Sequence, residues 1–462
     1  MPRRALPRRT APRPALLPAL LLPLLLTACP GQNPAPEPGP VDPPAAPAAC
    51  RARSVASLGA APLSWPQATP DWNAAHVPGQ VLILTDRAAG GPSAQALGAL
   101  SGVQTQAVGP GVQLAWTPAG EEDRAFARRL GAAGVRTQPN YLYRALARPN
   151  DPAFPGNAGL KIEVNKNTVN VFQTYLTRSR IPGAWNALAA AGKTPQGARV
   201  AVLDSAPDRS HPELQGRLEA TVSCLTSSPD EVAASEHGTE VTGVIGANTD
   251  NGVGVAGVVW GGPLLGVEVL DARGNGSTAD LAAGLNYAVR QGAKVINISL
   301  GAPGIDDAVL GAALTAAAQQ AVIVAAAGNT PDEGVYYPAS HPDVIAVGAV
   351  GQRDGELACY SARPDAGHPR ALDIVAPGGV GGGCPGFRPE LDLPVLASGG
   401  SYRLEAGTSF SAPVVSGVAA LMRGVNPGLG AAQTRALLLG SANRAGGLPL
   451  LDAAAAVRAA LP

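Results

Sequence analysis

From about Asn150 onward, short runs dominated by apolar residues alternate with longer amphipathic stretches. Arg199–Leu203, Lys294–Ser299, Val322–Ala326 and Val344–Val350 lack the strict apolar/polar alternation of a half-exposed strand. They read as strands buried on both faces. Ser277–Gln291 and Asp306–Gln320 have the length and spacing of helices, and Val414–Met422 reads as another. Strands alternating with helices predict an α/β fold of three layers, with a mostly parallel central sheet between helices. The pattern before Asn150 is different. Gln80–Leu84, Gly111–Thr117 and Val135–Tyr143 read as strands. Glu121–Leu130 reads as a helix with acids in its first turn, where the helix dipole favours them. These elements predict a small α+β domain over residues 76–149, ahead of a larger domain over 150–462. No internal repeat is visible.

The N-terminus follows neither pattern. Arg3, Arg4, Arg8, Arg9 and Arg13 precede an apolar run, Ala15–Leu26, that is too short to span a bilayer as a stable helix. The run ends in Leu26-Thr27-Ala28-Cys29, which is similar to a bacterial lipobox. Residues 1–28 therefore read as a lipoprotein-type signal peptide, with Cys29 acylated as the mature N-terminus. An ordinary secretory signal that contains a cysteine is the other reading. Residues 29–75 form a Pro/Ala-rich spacer.

Composition adds three points. Apolar residues at 46% against 15% charged allow a large core, which excludes wholesale disorder. The 34 basic and 34 acidic residues balance, which argues against a nucleic-acid binder. Loss of the five signal arginines leaves a net charge of −5. Besides Cys29, the cysteines are Cys50, Cys224, Cys359 and Cys384, an even number that fits disulfides in an exported protein. Three pairings are open, and the shortest loop, Cys359–Cys384, is the expected one.

Three segments carry candidate chemistry. Val202-Leu203-Asp204-Ser205 places an acid at the end of a buried strand. Glu236-His237-Gly238-Thr239 leads into a helix, as does Glu405-Ala406-Gly407-Thr408-Ser409-Phe410-Ser411-Ala412-Pro413. In open parallel sheets ligands bind at the carboxyl ends of the strands, so the three could share one crevice. A serine hydroxyl is a weak nucleophile until a base takes its proton. Histidine can take that proton near neutral pH and return it to a leaving amine. A buried carboxylate fixes the imidazole tautomer and stabilises its cation.

In this order, Asp204, His237 and Ser409 resemble the subtilisin-like serine proteases, the subtilases. Asn297-Ile298-Ser299-Leu300-Gly301 and Ala326-Ala327-Gly328-Asn329 fall in the family's order as well. The resemblance implies that Asp204 orients the base His237, that Ser409 is the nucleophile, and that Asn329 donates to the oxyanion with the Ser409 backbone N–H. The sedolisin-like proteases share the Gly-Thr-Ser motif but have Asp at the oxyanion position and lack the His. The presence of His237 and Asn329 favours the subtilases. The family binds its peptide as an added strand, which implies that Ser299-Leu300-Gly301 and Gly274-Asn275-Gly276 are the binding edges. Ala327, Gly328 and Tyr336 would line the primary specificity pocket. A ring at Tyr336 would shorten that pocket against large aromatic side chains.

The chain departs from the family's pattern in places. Ala206 follows Asp204-Ser205 where Gly is usual, so the loop is expected to differ slightly. Glu240 stands where His is frequent and is expected to raise the pKa of His237. Phe410 replaces the usual oxidation-sensitive Met beside the nucleophile, which implies resistance to peroxide. The loop Asn248–Val255 resembles the family's calcium loop, with Glu213, Asp250 and Asn251 as candidate ligands. An ordinary polar turn is the alternative. The chemistry itself requires no cofactor, and structural Ca²⁺ is the one candidate.

The resemblance thus implies a secreted or lipid-anchored serine endopeptidase acting on extended polypeptides, monomeric and with no nucleic-acid partner. The small domain resembles an inhibitor-type propeptide, which would block the cleft until it is cut near Ala145–Asn157. Because Cys29 lies upstream of that cut, the membrane-tethered zymogen would shed its mature enzyme. A non-catalytic, lipid-anchored peptide-binding module with the same fold is the alternative, which the intact Asp204, His237, Asn329 and Ser409 oppose. No residue favours acyl transfer to an amine over hydrolysis.

Overall fold

A computed structural model describes residues 69–73, 76–84, 98–109, 111–141, 148–225, 236–367 and 369–462. The signal peptide, Cys29, Cys50, nearly all of the spacer and residues 145–147 of the expected processing region lie outside the described residues. The chain divides into two compact units, with Val81–Gln138 in the smaller and Pro139–Pro462 in the larger.

A four-stranded sheet belongs to the N-terminal part. Its strands are β1 (His76–Leu84), β2 (Thr105–Gly109), β3 (Val112–Trp116) and β4 (Arg136–Tyr141), in the order β2-β3-β1-β4. Helix α1 (Asp123–Ala132) buries Phe126, Ala127 and Leu130. The i, i+1, i+4 spacing of those residues gives α1 a single apolar stripe.

The larger unit opens with a hairpin, β5 (Leu160–Val164) and β6 (Asn167–Val171), then helices α2 (Thr174–Arg178) and α3 (Ile181–Ala190). Its centre is a seven-stranded sheet. The strands are β7 (Val200–Asp204), β8 (Leu218–Ser223), β9 (Leu264–Glu268), β10 (Val295–Ile298), β11 (Val322–Ala326), β12 (Val344–Val350) and β13 (Ile374–Pro377). Their order is β13-β12-β11-β10-β7-β9-β8, and every pairing is parallel. Helices α4 (Glu236–Gly246), α5 (Thr278–Arg290) and α6 (Ala308–Ala318) lie between strands in sequence. After β14 (Leu393–Ala397) and β15 (Ser401–Glu405), an antiparallel pair, come α7 (Thr408–Val425), α8 (Ala431–Gly440) and α9 (Ala453–Ala460).

The two faces of the sheet feed two separate cores. Along β7, Val200 and Val202 pack with α3, α4 and α7, whereas Ala201 and Leu203 pack with α5 and α6. Continuous apolar runs are required because neither face meets water. The three-layer reading therefore holds, and the strand and helix runs expected from the pattern recur within a few residues of their observed ends.

One boundary moves. The helix expected to begin at Val414 begins at Thr408 and carries Pro413 inside it. A proline cannot donate to the carbonyl four residues back. The Ser409 carbonyl, left without that donor, accepts the Ser299 hydroxyl at 2.9 Å. The expected disulfide is present between Cys359 and Cys384. Cys224 has no disulfide to any described residue.

Trp185 anchors the α3 side. It is fully buried, its indole N–H donates to the Val258 carbonyl at 2.9 Å, and its ring packs against Phe154 and Trp260. Trp185→Ala should cost about 3–5 kcal/mol by leaving a large cavity. A lowered urea midpoint with an unchanged m-value checks this.

Candidate active site

Chain order puts β8 and β9 on one side of β7 and β10 to β13 on the other. The crevice at the carboxyl ends of β7 and β10 is therefore the topological switch point of the sheet. Asp204 ends β7, Ser299 follows β10 and Asn329 follows β11 just after Ala326. The N-termini of α4 and α7 bring His237 and Ser409 to the same rim.

Asp204 is fully buried. Its Oδ1 lies 2.7 Å from His237 Nδ1 and also accepts the Ser205 backbone N–H at 2.8 Å. A carboxylate cannot donate, so Nδ1 carries the proton and Nε2 is left as the accepting nitrogen of the neutral ring. Gly238 lets this geometry form. A Cβ there would lie 1.9 Å from the Ser205 carbonyl oxygen, so only glycine lets α4 approach the end of β7 so closely. Ala206 keeps an ordinary backbone and does not need the freedom of glycine.

Burial alone would lower the pKa of His237. The Asp204 carboxylate beside it, their hydrogen bond, and then Glu240 and Glu405 outweigh that and push it up to about 9. The expected influence of Glu240 is thus present. Glu240 is 2% exposed, and its own pKa is raised by burial and then by Glu405.

Asn329 has its amide orientation set by Thr408. The Thr408 N–H and hydroxyl both donate to Asn329 Oδ1, each at 2.9 Å. A flipped amide would set its NH₂ against two donors, so Nδ2 is the atom left to donate elsewhere. Ser409 is the second residue of α7, where backbone N–H groups have no intrahelical partner. Its hydroxyl donates to the Ser299 carbonyl at 3.2 Å. The Phe410 ring lies 6.0 Å from the His237 ring, centroid to centroid.

One cavity of about 440 Å³ is lined by His237, Ser409, Asn329, Ser299, Leu300, Gly301, Gly274, Gly328 and Tyr336, all expected from the sequence. Ser205, Leu270, Ala326 and Thr408 complete its wall. Asn275 and Gly276 line a neighbouring pocket of about 290 Å³ with Leu270, Leu281, Leu300, Ile305 and Leu310. Ala327 lies behind the wall, fully buried, with its N–H on the Val347 carbonyl. Tyr336 packs on Gly328, where a Cβ would meet the ring at 2.5 Å and φ is +111°. Its hydroxyl donates to the Glu333 carboxylate and accepts from the Thr330 hydroxyl, 3.1 Å away.

The Subtilase family profile matches residues 195–455, more than half of the chain. The chain belongs to the subtilase family. It is 34% identical over 289 residues to Subtilisin Savinase from Lederbergia lenta, covering 61% of this chain and 97% of that one. It is 33% identical to a thermophilic serine proteinase of Bacillus sp. (strain AK1), covering 62% of each. The match thus spans less than two thirds of that relative's length. Among solved structures, a protease from Pseudoalteromonas arctica aligns with a TM-score of 0.54 at 26% identity, covering 68% of this chain and all of that one. In subtilase terms the larger unit is a subtilisin-like serine peptidase domain.

The candidate cation ligands sit away from the cleft. Glu213, fully buried, accepts from the Val255 N–H, the Tyr402 hydroxyl and the Asn251 side-chain amide. The Asp250 carboxylate accepts the Asn150 N–H instead. The second buried acid on this loop is Asp151, which takes the N–H groups of Asp250 and Asn251. It was missed because it lies about a hundred residues upstream, and only the fold brings it there. Among the described residues no cluster of three or more acids, histidines or cysteines could hold a metal ion, and the oxygens of Asp151 and Glu213 are taken up by N–H and O–H donors, the Asn251 NH₂ among them.

Removal of the Asn329 donor tests the oxyanion geometry. Asn329→Ala should lower kcat about 10²–10³-fold with little change in KM, a magnitude known from subtilisin itself.

Proposed function

We propose that this subtilase is an exported endopeptidase that cleaves extended polypeptides through an acyl-enzyme. The observation that carries it is His237, 2.7 Å from the buried Asp204, on one cavity wall with Ser409 and Asn329. His237 Nε2 takes the Ser409 proton as Oγ attacks the scissile carbonyl. The oxyanion is met by Asn329 Nδ2 and the Ser409 N–H at the start of α7. His237 then gives the proton to the departing amine. Water, activated the same way, cleaves the ester. The Ser409 hydroxyl rests on the Ser299 carbonyl. A substrate strand pairing with that edge would take over this acceptor and free the hydroxyl to turn to His237.

The remaining assignments belong to the same proposal. Ser299–Gly301 and Gly274–Gly276 hold the peptide backbone, and the apolar pocket beside them takes an apolar side chain. The signal peptide and lipid at Cys29 deliver a tethered zymogen. The 76–149 domain inhibits it, and processing releases the enzyme.

A serine-directed fluorophosphonate should label the processed protein and fail to label Ser409→Ala. Equal labelling of both would remove Ser409 from the role. No labelling of either would favour a peptide-binding module. In a peptide-library digest, cleavage after Phe, Tyr and Trp should be under-represented because Tyr336 occupies the pocket floor. A preference for Phe would contradict that placement.

A further inference from the structure

Arg403 lies outside the triad, yet it touches both elements that deliver it. It sits in β15, the strand that runs into Gly407 and Ser409. Its guanidinium reaches across to α4, the helix that carries His237. There it pairs with Glu236, the residue before His237, and its Nε lies 2.9 Å from Glu240, three residues after His237. On its own strand it pairs with Glu405 at 2.5 Å. The Nε and Glu240 Oε1 are not aligned for a hydrogen bond, so that contact is ionic rather than directional.

We propose that Arg403 and Glu240 are a positioning pair for the general base. The arginine braces the strand that leads to the nucleophile against the helix that bears the base. The buried carboxylate sets the charge behind the imidazole. This rests on the endopeptidase reading above and adds to it two residues that never touch the reacting atoms.

The charge balance around His237 is set by a small number of groups. Asp204 faces it from β7, with the buried Glu268 in register beside it on β9; Glu236 and Glu240 come from its own helix, Glu213 from the turn packed on that helix, and Glu405 and Arg403 from β15. Strand β14, packed along α4, has only Leu, Pro, Val and Ala. Helix α7 carries no charge before Arg423, near its far end. Three carboxylates thus share one guanidinium, and the excess beside the imidazole is negative. Such an excess favours the imidazolium. Burial and then Glu405 push the pKa of Glu240 up to about 8, and the His237 imidazolium is the group that favours its ionised form. In catalysis the imidazolium forms as Ser409 attacks, so negative charge behind it, to the extent that Glu240 is ionised, stabilises the species that forms.

The experiment compares pH–rate profiles of the processed wild type, Glu240→Gln, Arg403→Met and Arg403→Lys, each first titrated with the fluorophosphonate. Glu240→Gln should move the acid limb of kcat/KM down by about one unit. Arg403→Met should lower kcat roughly 10–100-fold with KM within about threefold, as a base displaced from its partner predicts. Arg403→Lys should recover part of that loss. If all variants label and keep wild-type kcat and acid limb, losing only thermal stability, the pair is merely structural and the proposal fails. Should Arg403→Met not fold, the acid limb of Glu240→Gln decides alone. A wild type that does not label would overturn the endopeptidase reading instead, which keeps the two failures distinct.

Discussion

The cleft depends on the burial of α7. The helix is enclosed almost all round, with Ala412, Val414, Val415, Val418, Ala419 and Leu421 fully covered. Gly417 admits Val258 where a Cβ would stand 2.6 Å away. A helix fixed this tightly cannot shift without opening voids, and close-packed interiors resist that. Its N-terminus, with Ser409, is therefore a fixed point against which the other groups are placed. Polar ties refine the fit. The Ser416 hydroxyl donates to Asn297 Oδ1 at 2.8 Å, and the Asn297 amide donates to Ser299 Oγ at 2.9 Å. That hydroxyl then donates to the Ser409 carbonyl that Pro413 leaves free. One buried chain of donors thus joins α7, β10 and the substrate edge.

Electrostatics build on this rigid frame. His237 sits between a buried carboxylate in front, Asp204, and a carboxylate-rich cluster behind. Buried charges are costly unless compensated. Arg403 supplies part of the compensation, and the imidazolium supplies the rest when it forms. Away from the cleft, Asp151 and Glu213 pose a similar problem on the loop 248–255. Burial raises the pKa of both, and Asp151 adds to the shift at Glu213 by repulsion, pushing it up to about 6. Backbone N–H donors on that loop answer part of the cost.

Much of this was legible in the primary structure because its signals are local. The unbroken apolar runs at Val200–Leu203 and Val322–Ala326 identify strands covered on both faces, since a half-exposed strand would alternate. The start of α7 was misplaced because Pro413 reads locally as a boundary. The helix runs through it only because Ser299, more than a hundred residues upstream, satisfies the carbonyl that proline abandons.

By itself, then, the sequence determined the strand and helix periods and the residue types, Asp204, His237, Asn329 and Ser409, that the candidate site brings together. Each rests on residue type and short spacing, which the chain carries wherever it folds. Tertiary structure alone decided which amide atom of Asn329 is free, because Thr408 lies 79 positions away and occupies the other. It alone brought Asp151 to Glu213, withdrew Ala327 behind the cleft wall, and carried Arg403 to Glu236 and Glu240. Those contacts join residues far apart in the chain, and such proximity follows from how buried surfaces pack rather than from any local pattern.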